Sequence, residues 1–195
     1  MTKREENKIL VRERLLKEAL RLFSAKGLQA TTVADIVTAS GIGRGTFYNY
    51  FADVKSIFDA VIDQLNADIP RVIKKARKGS ATIYDLLYRS FKAYFDFVSQ
   101  PDFFDFHLKN QSYIRSTSYG STILKMILTD LQQDLGKLKN TSDFKSKKEF
   151  KMLSFVLVST SAELFLNTHA SKLDISNHEM ATFLANLYTN GLEKK

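Results

Sequence analysis

Hydrophobic positions recur at helical spacing along almost the whole chain. Leu15, Leu16, Ala19, Leu20, Leu22 and Phe23, preceded by Ile9 and Leu10, predict a first helix from about Asn7 to Lys26. Gly27 is a natural stop, because the residue past a helix end often takes a left-handed backbone. Val33, Ile36 and Val37 give a second, short apolar face. Thr32 and Asp35 are spaced as a capping box for it, with Asp in place of Glu. Ala39-Ser40-Gly41 ends that helix in a tight turn, and Ile42 plugs back into the core. A third helix is predicted from Gly43 to Tyr50, with Phe47, Tyr50 and Phe51 spaced to alternate between core and rim. Asp53 is the expected N-cap of a fourth, striped by Val54, Ile57, Phe58, Val61, Ile62 and Leu65.

The pattern stays helical downstream. Pro70 is expected to kink or end the fourth helix, since it lacks an N–H and clashes with the preceding turn. Gly79-Ser80 marks a boundary, and Thr82 to Asp85 starts another helix carrying Ile83, Leu86, Leu87, Phe91, Tyr94, Phe95 and Val98. Pro101 opens a short Phe-rich segment, Asp102 to Lys109. Ser112 to Ser121 is polar and reads as a loop. Thr122 to Leu138 is helical, Lys139 to Asp143 a turn, and Phe144–Asn167 and Ser176–Leu192 form the last long helices. No stretch alternates with period two, so no sheet is expected.

Composition narrows the class. With 195 residues and 44% hydrophobic residues the chain can build a core, and only 2 prolines interrupt it. It has no cysteine, which removes disulfides and thiolate metal sites and fits a reducing compartment; a cytoplasmic protein is expected. The basic N-terminus has no apolar h-region, and no apolar run nears the ~20 residues that span a bilayer. The net charge of +8 invites nucleic acid, yet residues up to Ala67 hold 10 Lys and Arg against 8 Asp and Glu. Local placement of a few cations must therefore carry that reading. The run Arg71 to Lys78 reads as a solvated helix end.

The segment Gly43-Arg44-Gly45-Thr46-Phe47-Tyr48-Asn49-Tyr50 suits a recognition helix, polar outside and braced behind. Gly43 and Gly45 would let it approach DNA closely. Arg44 can donate twice to a guanine edge or grip phosphate, Asn49 can read adenine or bond the backbone, Thr46 can bond phosphate or touch a thymine methyl, and Tyr48 can reach phosphate. Lys55 is placed to clamp a phosphate at the start of the next helix. Together with the Thr31-Thr32 cap, the run GIGRGTFYNYFADVKSIFDAV resembles the tetracycline-repressor (TetR) family of transcriptional regulators over roughly residues 8 to 65. Gly43 departs from the family's usual Ser or Thr. The resemblance implies an all-helical fold, a homodimer, a palindromic double-stranded operator and release of DNA on binding a small molecule. The expected DNA contacts are Thr32, Gly43, Arg44, Gly45, Thr46, Tyr48, Asn49, Tyr50 and Lys55.

The aromatic concentration further on suggests a cavity for a small apolar or amphipathic ligand, or plain core. Its expected lining is Phe91, Tyr94, Phe95, Phe103, Phe104, His107, Gln111 and Tyr113, with Asn110 a further polar candidate. His107 alone reads as a packing residue, because no second ligand stands at metal spacing, and His169 and His178 as surface or interface residues. Phe155, Val158, Ala162, Phe165, Leu184 and Leu187 are expected to face a second copy across a four-helix bundle. The expected architecture is thus all-α: a helix-turn-helix domain over 1–53, a linker helix over 54–78, and a ligand-binding and dimerisation domain over 79–195. No catalytic triad, phosphate loop, metal set or dinucleotide fingerprint points to an enzyme or a cofactor. A helical adaptor that binds protein without DNA is the alternative.

Overall fold

A computed structural model describes residues 2–118, 122–138 and 147–191. Among these the chain is all helical, in the order α1 (Lys3–Lys26), α2 (Val33–Ser40), α3 (Arg44–Tyr48), α4 (Val54–Asn66), α5 (Ile69–Ala76), α6 (Ile83–Val98), α7 (Pro101–Lys109), α8 (Gln111–Ser118), α9 (Thr122–Leu135), α10 (Lys147–Ala170) and α11 (Asn177–Asn190). The turn expected at Lys139 to Asp143, the helix start at Phe144 and the end at Leu192 lie outside the described residues. Two expectations change. The first helix begins four residues early, because Thr2 and Glu5 close a reciprocal capping box. Most of the stretch from Ser112, expected to be a loop, is helix: α8 runs to Ser118, and Tyr113 and Ile114 pack on a hydrophobic core that local polarity does not reveal.

The helices group into two compact units. The first holds Met1–Ala67 and Pro101–Ser116, the second Asp68–Gln100 and Thr117–Lys195. The expected division fell at 53 and 78. α4 packs on α1, and so does α7, so both belong with the helix-turn-helix. The stretch 54–78 breaks near Pro70, as expected, into α4 and α5. Pro70 sits in the first turn of α5, where its missing N–H is tolerated. In a continuous helix its ring would clash with the carbonyl of Asn66, the last residue of α4.

In the first unit three rings meet at the centre. Phe58 lies 4.9 Å from both Phe23 and Phe106, edge-on to the first and stacked on the second. Leu15, Leu16, Ala19, Ile36, Phe47 and Ile57 complete a core closed to solvent. Asn110, 5% exposed, ties α7 to the end of α1. Its carbonyl accepts from the Leu28 N–H at 2.7 Å, and its amide donates to the carbonyls of Phe23 at 3.1 Å and Phe106 at 2.7 Å. The Leu28 N–H has no acceptor in its own helix, and the Phe23 carbonyl, already bonded by the Gly27 N–H that caps α1, takes the Asn110 amide as a second donor.

The second unit is built differently. α11 lies along α6, with Phe91 beside Tyr188 and Phe95 stacked on Phe165. α5 is joined to α9 by two ion pairs, Lys74–Asp130 at 2.8 Å and Arg77–Asp134 at 2.7 Å. The Arg77 side chain is 2% exposed, so the expected solvated run is, at this residue, a buried charge. The helical period shows why: Arg77 falls on the face of Ile69 and Ile73.

Candidate nucleic-acid interface

α3 is short and held from behind. Phe47, its one fully buried side chain, leans on Phe51 and edge-on against Tyr48. Arg44, Gly45, Thr46, Tyr48 and Asn49 are all exposed, and Tyr50 is half-buried. Tyr48 keeps 47% of its surface in solvent despite its size. Arg44 bends back over the Tyr48 ring, its guanidinium 5.9 Å from the centroid. The turn before α3 is made by Gly41 at φ 65°, a left-handed conformation that suits glycine. Gly43 takes the N-cap with no side chain to bond the helix. A Cβ added at Gly45 would meet nothing within 4 Å, so the protein's own packing gives no reason for a bare helix surface there.

Two expected DNA contacts, Thr32 and Lys55, are already engaged inside the protein. Thr32 donates its hydroxyl to Asp35 at 2.7 Å and accepts from the Asp35 N–H. Lys26 bonds the same carboxylate at 2.8 Å. Lys26 first, and Thr32 after it, hold Asp35 down to about 2. Lys55 pairs with Asp59 at 3.2 Å, one helical turn on, and sits 5.5 Å from the Tyr113 ring centroid. Tyr113 donates to the other Asp59 oxygen at 2.8 Å. Contact with the Tyr113 hydroxyl, then the Asp59 carboxylate, holds the Lys55 ammonium above its ordinary value. The pair is exposed on both sides, so it restrains Lys55 weakly. Sequence reasoning missed Asp59, although a carboxylate four residues after a helical lysine is a legible signal. α4 itself is capped by Asp53, whose carboxylate accepts from the Ser56 N–H at 2.7 Å and complements the helix dipole.

The expected ligand lining divides between the units. Phe103, Phe104, His107, Gln111 and Tyr113 belong to the first, and Phe91, Tyr94 and Phe95 to the second. Phe103, Phe91 and Phe95 are buried, and Phe104 and Gln111 half-buried. Tyr113 rests edge-on against Phe58, and Asn110 has its amide committed to backbone. His107 stacks on Phe103 with ring centroids 3.8 Å apart and donates from Nδ1 to the Phe103 carbonyl at 2.8 Å. Burial pushes its imidazole down to about 4, against the opposing pull of that carbonyl. Among the described residues no cluster of His, Asp or Glu could hold a metal. In the second unit burial, and then the Glu163 charge, push the Tyr94 phenol up.

The expected dimer residues also divide. Phe165 is 1% exposed and Leu184 0%, so they fill the core of a single chain and cannot also face a partner. Helical spacing alone does not tell the inner stripe from the outer one. Phe155, Val158, Ala162 and Leu187 are half-buried, while Met152 and Val156 on α10 and Phe183 on α11 are large, apolar and exposed. His178 lies at the surface with Nδ1 2.9 Å from the Tyr88 hydroxyl, and His169 bonds the Phe165 carbonyl.

The family model for bacterial regulatory proteins of the tetR family matches residues 15–61, which span α1 from Leu15 through most of α4. The transcriptional repressor KstR2 of Rhodococcus jostii is 34% identical over 86 residues, 42% of each chain. An uncharacterized regulator of Bacillus subtilis, YvdT, is 31% identical over 75 residues, 38% of this chain and 39% of its own. The chain thus spans about two fifths of the length of these curated relatives. The fold likeness runs further. The fatty acid degradation regulator FadR of Bacillus halodurans superposes with a TM-score of 0.75 at 13% identity, over 94% of this chain and 97% of its own. FadR of Bacillus subtilis, solved in complex with stearoyl-CoA, gives 0.70 at 14% identity, over 93% and 99%. At such identities the likeness is one of fold. Over residues 15–61, which hold its helix-turn-helix, the chain is similar to the tetR family of bacterial regulatory proteins.

Proposed function

We propose that this protein is a sequence-specific DNA-binding transcriptional regulator, a repressor that acts as a homodimer on a palindromic operator. One observation carries the reading. α3 presents Arg44, Thr46, Tyr48 and Asn49 to solvent while Phe47 fixes it from behind. Such a rod suits a major groove, where base edges need donors and acceptors on a rigid support. In a dimer the two rods sit about 34–36 Å apart, or a small multiple, to enter successive grooves on one face of the duplex. Met152, Val156 and Phe183, with Phe155, Val158, Ala162 and Leu187 around them, form the face that a second copy covers. The alternative, an adaptor without DNA, gives no reason for the bare surface at Gly45.

The effector is a small apolar or amphipathic molecule, and long-chain acyl thioesters are the first class to try, since a protein of the same fold holds stearoyl-CoA. A ligand that prefers the DNA-incompetent state by ~3 kcal/mol weakens operator affinity by roughly two orders of magnitude. The protein works in the cytoplasm. Among the described residues no helix is long and apolar enough to cross a membrane.

Selection of duplexes from a random pool with the purified protein, followed by band-shift titration, tests the reading. The expected result is one enriched inverted repeat whose complex carries two chains and dissociates with stearoyl-CoA or another lipophilic probe. Arg44→Ala and Asn49→Ala then relax discrimination at particular base pairs. No enrichment over the starting pool overturns the assignment and leaves the adaptor reading.

A further inference from the structure

Arginine is unevenly partnered in this protein. Among the described residues Arg21, Arg71, Arg77 and Arg89 each pair with a carboxylate. Arg12 and Arg14, both exposed on α1, pair with no carboxylate among the described residues and lie against uncharged neighbours. The Arg12 guanidinium lies 5.7 Å from the ring centroid of Phe51, just past the end of α3. Phe51 packs in turn on Phe47, so Arg12 stands at the C-terminal end of the recognition helix. The Arg14 guanidinium covers the Gly41 turn that precedes α3. A Cβ built on Gly41 would come within 3.1 Å of its Nη2.

Helical geometry explains how neighbouring positions reach opposite ends. Two residues along a helix turn the side chain by about 200°. Arg12 continues the face of Leu16, Ala19 and Phe23 one turn before the core begins, and Arg14 leaves from the far flank. One helix thus sends a guanidinium to each end of α3. Neither contact neutralises the charge. A ring face and a glycine turn fix the side chain while its N–H donors stay available. A helix seated in a major groove about 12 Å wide has a phosphate strand on either side.

We propose that Arg12 and Arg14 of α1 are DNA-backbone contacts that bracket the recognition helix, each gripping phosphate at one end of it. The proposal rests on the DNA-binding reading above and adds a pair of contacts from outside the helix-turn-helix. Phosphate contacts fix register and orientation rather than sequence. These two therefore set how α3 lies in the groove, and Arg44 and Asn49 read the bases.

The test compares the full-length wild type with Arg12→Gln and Arg14→Gln, and with Arg89→Gln as a charge-matched control in the second unit. The probe is a fluorescein-labelled duplex enriched from the random pool, titrated by anisotropy between 50 and 300 mM salt, about the range over which such contacts are read. Each α1 variant is expected to bind about tenfold more weakly at 0.1 M salt. Each also flattens the slope of log K against log salt by about 1 for every phosphate that a protomer no longer grips, while Arg89→Gln leaves the slope unchanged. A lowered melting temperature with an unchanged slope makes Arg12 a cover for Phe51 and overturns its role. Should Arg12→Gln fail to fold, Arg14→Gln, which covers no core ring, decides the matter. Wild-type protein that binds no duplex overturns the DNA reading and this proposal together. Wild-type binding with unaltered variant slopes overturns this proposal alone.

Discussion

The two units solve the same problem by different means. The first closes around stacked rings, the polar side chains it buries (Asn110, Thr31 and Ser40) each bond backbone, and its charged groups stay at the rim. The second takes a charge inside, with Arg77 against Asp134, and runs polar groups such as Ser154, Ser161 and Thr168 through its helices. Rings and a fully bonded amide define one arrangement of the reading helix. That rigidity suits a surface that must match base edges at fixed spacing. A charge pair bridging two helices can break and re-form, which suits the ligand-responsive role proposed for this unit. The contrast teaches where to look for precision and where for response.

The sharpest way to break this contrast is to remove Phe106. Phe106→Ala is expected to destabilise the first unit by about 4 kcal/mol. Amide exchange should quicken in α1, α4 and α7 first. Even loss of protection over the whole chain would mean that the two regions do not differ as described.

Asp134→Ala is the matching experiment in the second unit. It leaves the Arg77 charge buried without its partner, at a cost of about 3 kcal/mol. Urea titration reads the loss, and protection should fall first in α5 and α9. A change below ~1 kcal/mol would place the pair among exposed ones.

His107 probes the first unit by pH. Its folded pKa of about 4 lies below the ordinary value near 6.5, so the unfolded chain binds the extra proton between those limits. Stability therefore falls as the pH drops from about 6.5 to about 4, by up to about 3 kcal/mol, and this contribution levels off below. The loss should vanish in His107→Gln, as followed by urea unfolding at pH 7 and 4.5. An identical pH dependence in that variant sinks the assignment.

The smallest effect separates stability from recognition. Gly45→Ala should stabilise the protein by up to ~1 kcal/mol, because alanine is the better helix former and the added methyl is unopposed. It should weaken DNA binding by about tenfold, or ~1.4 kcal/mol. Gains in both would show that nothing approaches α3 closely there.

Much of the first unit was legible because its signals are local. Thr32 with Asp35, Gly41 and Asp53 each govern a helix end within four residues of themselves. The exposed face of α3 followed from the same spacing. What escaped was non-local. Asn110 bonds Leu28 from 82 positions away and Phe23 from 87, and nothing in its own neighbourhood announces that. The Phe-rich stretch from Pro101 could serve a cavity or a core equally well by composition, and Phe106 fills the core beneath the reading head. On α10 and α11 the stripe pattern located apolar faces, but Phe165 and Leu184 turn inward where Val156 and Phe183 do not. A periodicity gives the direction of a side chain around its helix, and only the neighbours decide which direction is inside.

The amide of Asn110 also limits how this protein can be taken apart. A scissor cut after Ala67 would release a polypeptide whose Leu28 N–H is without its acceptor, and whose Phe58 is without the ring stacked upon it. Anyone grafting this reading head onto another sensor must therefore carry a second, distant stretch of sequence along with it. Modules that look contiguous on paper would arrive with a hole in them.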